Sequence, residues 1–147
     1  TSLNLFESLP TELVILFVER VASTSLEDLV SVKLCSRFLN RVGNERSVYQ
    51  KVTLDCFPTE PTWTTNQHAV SFMNICIASE NLEALYTKGV YNFFNRNDPT
   101  ALRMVKKAAE GGYGGSEYVL AVISIFEGGI SMREGLMYIA NIKKICQ

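Results

Sequence analysis

Ser8-Leu9-Pro10-Thr11-Glu12-Leu13 opens the stretch that decides the fold, and Leu16, Phe17 and Val21 continue it at helical spacing. Apolar side chains three and four residues apart share one face of an α-helix. Pro10 marks the start, because proline is favoured at the first helical position, where its missing N–H has no helical partner. The pattern fades at Ala22-Ser23-Thr24. Ser25 with Asp28 three residues on has the form of a capping box, Asp standing for the usual Glu. Leu29, Val32, Leu39 and Val42 then recur at helical spacing, with Leu34 and Phe38 alongside, up to a stop at Gly43-Asn44. A short helix over 45–51 and an extended Val52-Thr53-Leu54 complete this part.

Downstream, Pro58, Pro61, Trp63 and several threonines interrupt the helical pattern. Two of the four prolines fall here, so the reading is a domain over 1–57, a linker over 58–65 and a second domain over 66–147. Trp63 either pins the two domains together or offers an anchor to a partner. Thr64 with Gln67 forms a candidate N-cap for an apolar helix over 68–78. Asn81 is a turn residue, and Leu82, Leu85, Tyr86, Gly89, Val90 and Phe93 form the next helix. Asp98-Pro99 starts another, a capping side chain before a first-position proline. Gly111-Gly112 ends it, a helix follows over 116–126, and Gly128-Gly129 stops that one. Ser131 with Glu134 is a capping box for a last helix through Leu136, Ile139 and Ile142.

The second domain repeats internally. Cys76-Ile77 leads through a polar turn to Ala84, Tyr86 and Gly89, and Ala108-Ala109 leads through a glycine turn to Ser116, Tyr118 and Ala121 at the same offset, which also carries Ala108 onto Ala140. That period belongs to stacked helical hairpins. Small residues at Ala84, Gly89, Ser116 and Ala121 let paired helices approach closely.

Composition fits a globular chain and excludes several classes of function. The 147 residues are 47% hydrophobic and 20% charged, with a formal net charge of −1, which argues against disorder. Neither half is basic, so nucleic acid and anionic membrane are not expected partners. No apolar run reaches the ~20 residues of a membrane span. No basic start precedes Leu13–Val18, and that apolar run is short for a secretory core. The chain does not begin with Met, which leaves a removed segment open. Cys35, Cys56, Cys76 and Cys146 are scattered without C-x-x-C spacing, and His68 is the sole histidine. A disulfide framework and a metal site are therefore not expected, and a reduced intracellular compartment, nucleus or cytoplasm, is.

Ser8-Leu9-Pro10-Thr11-Glu12-Leu13, Leu26-Glu27-Asp28-Leu29 and Val32-Lys33-Leu34-Cys35-Ser36-Arg37-Phe38 together resemble an F-box. That family begins with Leu-Pro-x-Glu-Leu, reaches an Asp-Leu step and ends on a basic–aromatic pair after a cysteine. Cys35-Ser36-Arg37 stands where many plant members carry Ser-Cys-Lys. The segment Cys76 to Gly89 is similar to a plant F-box family reading Cys, then Asn-x-Glu-Ala-Leu-Tyr-x-x-Gly. Lys107 to Gly112 and Ser116 to Ala121 look like Sel-type helical repeats, with Ser116 and Ala121 replacing the usual Ala and Gly.

The resemblance implies an all-α fold: a three-helix F-box followed by antiparallel helical pairs of Sel or tetratricopeptide type. It implies a substrate adaptor of an SCF-type ubiquitin ligase, with no catalysis and no cofactor. The F-box would dock on a Skp-type linker, and through it on a cullin, while the helical region binds an unidentified protein substrate. A module this small holds more apolar side chains than its own core needs. Leu9, Pro10, Leu13, Leu16, Leu29 and Val32 are the expected linker-binding set, apolar and incompletely buried in the free chain. The competing reading of each is core packing.

Other chemistry is sparse. Glu12 with Glu19, and Glu80 with Glu83, read as solvated helix faces rather than acid–base pairs. Cys35 reads as a small core residue rather than an activated thiol. His68 lacks a nucleophile or metal partner and reads as exposed or capping. The glycines from Gly111 to Gly115 lack the following Lys-Ser/Thr of a phosphate loop. The alternative of another class is a helix-turn-helix DNA-binding protein, with 25–40 as recognition helix. Against it, Glu27 and Asp28 offset Lys33, Arg37 and Arg41.

Overall fold

The structure, a computed structural model, describes residues 3–55, 57 and 65–145. Cys56, Pro58, Pro61, Trp63, Thr64 and Cys146, and with them the expected linker up to Thr64, lie outside the described residues. The helices are α1 (Leu3–Glu7), α2 (Thr11–Thr24), α3 (Leu26–Cys35), α4 (Arg37–Val42), α5 (Arg46–Lys51), α6 (Gln67–Ala78), α7 (Leu82–Arg96), α8 (Leu102–Glu110), α9 (Gly114–Glu127) and α10 (Gly129–Ile145), with a 3-10 turn at Pro99–Ala101. No strand occurs among the described residues, and the fold is all-α. The chain divides into two compact units, Thr1–Ala84 and Leu85–Gln147, the division falling inside α7.

In the first unit two serines punctuate the chain. Ser25 is extended (φ −158°, ψ 126°), ends α2, and its hydroxyl accepts the Asp28 N–H at 3.1 Å to start α3. Ser36 repeats this (φ −159°, ψ 159°), its hydroxyl accepting from Leu39 N–H at 3.0 Å. The apolar pattern from Leu29 to Val42 therefore belongs to two helices, not one. Ser36 offers the backbone a local partner that competes with helix continuation. The break also divides the candidate recognition helix over 25–40. Pro10 stands one place outside α2, at the cap (φ −52°, ψ 133°), rather than at the first helical position.

Val14, Val18 and Ala22 of α2 pack with Leu29, Leu39, Val42 and Val48 as a core. Lys33 Nζ donates to Asn44 Oδ1 at 2.7 Å, and the Tyr49 hydroxyl donates to the same oxygen at 2.9 Å, tying α3 to the turn before α5. Val52 and Leu54 are buried, and Thr53 N–H returns to the Ala22 carbonyl at 3.0 Å. Asn81, 2% exposed, donates through Nδ2 to the carbonyls of Tyr49 at 3.0 Å and Val52 at 2.8 Å. Its Oδ1 accepts from Ala84 N–H at 3.0 Å. One amide thus satisfies carbonyls left over at the end of α5 and an N–H left over at the start of α7. Asn66 caps α6, accepting from His68 N–H at 2.9 Å.

The internal repeat is realised bond for bond in its turns. Asn81 N–H reaches the Cys76 carbonyl at 2.9 Å, and Tyr113 N–H reaches the Ala108 carbonyl at 3.0 Å. Glu80 N–H reaches Ile77 and Gly112 N–H reaches Ala109, each at 2.9 Å. This paired closure is the Schellman motif, which needs a left-handed residue just past the helix. Glu80 (φ 64°) and Gly112 (φ 93°) supply it at equivalent positions.

In the second unit Asp98 caps a 3-10 turn that leads into α8, accepting from Thr100 N–H at 3.0 Å. Gly89 lies where α7 meets α8: a Cβ there would stand 2.7 Å from Val105 Cγ2 and 3.1 Å from the Ala101 carbonyl. Ala121 marks the crossing of α9 and α10, its carbonyl 2.5 Å from where a Cβ on Gly135 would stand. The small-residue expectation at Gly89 and Ala121 thus holds. The repeat does not extend to α10 in detail. Ala108 is buried but Ala140 is exposed, and α10 starts at Gly129, placing Ser131 inside the first turn rather than at the cap.

Candidate docking surface

Helix α2 carries two apolar stripes. Val14, Val18 and Ala22 point into the core. Leu13, Leu16 and Phe17 point outward, and Leu9 precedes them just before the helix. These four are 42–57% exposed. Phe6 of α1 packs on Phe17, ring centroids 5.7 Å apart, and Leu5 beside it is exposed. An exposed apolar stripe on a helix whose opposite side already fills a core marks an interaction surface.

Of the expected docking set, Leu9, Pro10, Leu13 and Leu16 are exposed and follow one another along α2 and its start. Val32 on α3 is half-buried. Leu29, expected to be incompletely buried, is instead a core side chain at 2% exposure. Its helical position turns it toward α2, whereas Val30 and Leu34, one turn apart on α3, are exposed. Phe17 and Leu34 went unnoticed as surface residues. The signal for Phe17 was its four-residue spacing from Leu13, which sets it on Leu13's side of the helix, one position out of phase with the Val14–Val18 stripe.

Charge frames the stripe. Arg37, Phe38, Arg41 and Glu7 line a shallow cleft, with the Arg41 guanidinium 5.5 Å from the Phe38 ring centre. Glu19, although on α2, is buried and accepts a hydrogen bond from Lys51 of α5. That bond holds its carboxyl below the ordinary glutamate range, burial opposing it and Ser47 assisting. Glu19 is therefore not the solvated partner of Glu12. Glu80 pairs with Arg46 at 3.1 Å, and Glu83 accepts from Leu54 N–H at 2.9 Å, so these two carboxylates serve separate contacts.

Cys35 is exposed rather than in the core, its thiol donating to the Ser31 carbonyl at 3.2 Å because it sits at the open end of α3. Cys76 is buried, and burial pushes its thiol up to about 12. His68 is exposed. Among the described residues no group of three or more His, Cys, Asp or Glu comes together to hold a metal. No helix among them is long and apolar enough to cross a membrane.

Comparison with known proteins adds a family. The chain is 28% identical over 139 residues to the protein named "Putative F-box protein At1g67623" of Arabidopsis thaliana, covering 94% of this chain and 46% of that one. It is 28% identical over 124 residues to the F-box protein At5g50450 of the same plant, covering 82% of this chain and 36% of the relative. It is 26% identical over 138 residues to the F-box protein At2g35280, also of Arabidopsis thaliana, covering 93% and 82%. The chain thus spans less than half the length of the first two relatives. No solved structure matches it. The family of plant tetratrico peptide repeats matches residues 54–147, which include both hairpin turns with their shared bonding. The chain belongs to the family of plant tetratrico peptide repeats.

Proposed function

We propose that residues 5–55 form an F-box that docks on a Skp-type linker, and through it on a cullin. The helical repeats, of the Sel-like variant, bind a protein destined for ubiquitination. The chain then acts as an SCF-type substrate adaptor inside the cell, in nucleus or cytoplasm, with no catalysis of its own. One observation carries this reading: α2 presents Leu13, Leu16 and Phe17 to solvent while Val14 and Val18 fill the core behind them. The F-box names of the three relatives support it.

The test is co-expression with a Skp-type linker and recovery of a stoichiometric complex. Leu13→Asp with Leu16→Asp removes the outer stripe without touching the core. Loss of the complex at unchanged melting temperature is the expected result. A complex that survives the double substitution, or none with the unaltered chain, overturns the proposal.

A further inference from the structure

The outer side of α2 does not end at Leu16. Steps of three and four residues carry it from Leu13 and Leu16 on to Arg20 and Ser23. There Leu16, Glu19, Arg20 and Ser23 meet Lys51 of α5 around a cleft of about 370 Å³. The cleft has more donors than acceptors. Arginine and lysine side chains carry several N–H groups each and accept nothing. Among the described residues the exposed Arg20 guanidinium has no hydrogen-bond or ion-pair partner, and the Lys51 ammonium has one, Glu19. Ser23 does not answer Arg20, since its hydroxyl proton goes to the Arg20 carbonyl at 2.8 Å. Two cations thus face one buried carboxylate, and the apolar stripe ends on a surplus positive charge.

We propose that this cleft takes one aspartate or glutamate side chain of the partner that covers Leu13 and Leu16, its carboxylate bridging Arg20 and Lys51. Arg20 stands one turn beyond Leu16, so a partner seated on Leu16 reaches the cleft as well. A single carboxylate matches the surplus charge. A phosphate group, with about two negative charges, would bring one of them unmatched against the buried Glu19 carboxylate. An apolar partner side chain would take two cations out of water with one anion between them, at a desolvation cost nothing offsets. The bridge also gives the contact a direction. Leucine contacts tolerate sliding along the helix, whereas a charge pair at one end of the stripe fixes the register. The inference rests on the docking surface of the adaptor reading and adds the charge by which that surface selects its partner.

The experiment measures by calorimetry the affinity of the full chain for the Skp-type linker in Arg20→Gln, Arg20→Lys and Arg20→Glu. Arg103→Glu, which reverses an exposed cation on α8 outside the cleft, is the control for net charge. Arg20→Gln should weaken binding about tenfold and Arg20→Glu about a hundredfold. Arg20→Lys should fall between the parent and Arg20→Gln, and Arg103→Glu should bind as the parent does. The affinity of Arg20→Gln should also depend less steeply on salt than that of the parent. Arg20 is exposed, so its variants should melt with the parent. Exposed acidic residues of the linker are then changed to lysine one at a time, and one of these changes should restore binding to Arg20→Glu. Binding indifferent to Arg20→Glu, an equal loss in Arg103→Glu, or failure of every linker change to restore binding overturns the proposal. A complex that Leu13→Asp with Leu16→Asp abolishes but Arg20→Glu leaves intact overturns this inference alone. No complex with the unaltered chain overturns the docking reading and this inference with it.

Discussion

The side-chain amide of Asn81 donates to the Val52 carbonyl at 2.8 Å, so a residue in the first repeat turn completes the backbone of the segment that leaves α5. The same amide serves Tyr49, and both bonds are buried. Asn81→Asp keeps an acceptor for Ala84 N–H but removes both donors and sets a carboxylate against two carbonyls. A buried acceptor left unsatisfied costs about 1–3 kcal/mol. Asn81→Asp should therefore destabilise by at least about 2 kcal/mol in urea unfolding at neutral pH, and Asn81→Ala by a similar amount. A Asp variant as stable as the parent would refute the role of the two donors.

Leu29 and Leu9 should part company under truncation. Leu29→Ala empties a core site and should cost about 2–5 kcal/mol. Leu9→Ala with Pro10→Ala acts on exposed side chains and should leave helicity and melting temperature nearly unchanged while abolishing linker binding. Thermal melts alongside a linker pull-down read both quantities. Lost stability with linker affinity intact in the second variant would place Leu9 and Pro10 in the core.

Gly135→Ala should destabilise by about 1–3 kcal/mol, because its new methyl would stand 2.5 Å from a backbone oxygen that cannot rotate away. Gly89→Leu should do the same against Val105 and Ala101. Equal melting temperatures for parent and variants would mean that neither crossing is as close as described.

The two Schellman turns predict opposite responses at equivalent positions. Gly112→Ala forces a Cβ into the left-handed region and should cost about 1 kcal/mol. Glu80→Gly relieves that same strain at φ 64°, against loss of the Arg46 ion pair, which is largely exposed and worth at most about 1 kcal/mol. Its melting temperature should hold or rise. A marked fall at Glu80→Gly would show that the carboxylate outweighs the backbone.

Glu19 gives the fold an acid dependence. Its folded-state pKa lies below the ordinary value through the bond from Lys51. A carboxyl shifted in that direction stabilises the fold above its unfolded-state pKa, roughly 4.3, and loses the contribution as pH falls through the folded-state value. The parent should therefore exceed Glu19→Gln in stability at pH 7, and the gap should close in acid. A pH-independent gap in denaturant midpoints would assign the effect to packing alone.

Much of this architecture could be read from the residues. Ser25, Asp98 and the paired glycines announced their turns, because a capping oxygen or a left-handed residue acts within a few positions of itself. The repeat was visible because Cys76, Ala84 and Gly89 recur as Ala108, Ser116 and Ala121 in size. Ser36 escaped notice because the apolar period runs unbroken across it; only the backbone shows that its hydroxyl has taken over. Leu29 and Leu13 were indistinguishable as side chains, and their fates differ through the direction in which α2 and α3 face each other. Asn81 read as a turn residue, since nothing local reveals that its amide reaches Tyr49 and Val52.

The bonds from Asn81 and Glu83 set where this chain can be cut. A fragment ending at Phe57 keeps every helix of the N-terminal module, yet it leaves the Tyr49 and Val52 carbonyls and the Leu54 N–H without the side chains that answer them. It also uncovers Tyr49 and Phe57, whose rings Phe72 meets at 6.1 and 5.9 Å. A minimal piece for binding work has to run through Ala84, so the first repeat helix travels with the N-terminal module when the two halves are separated.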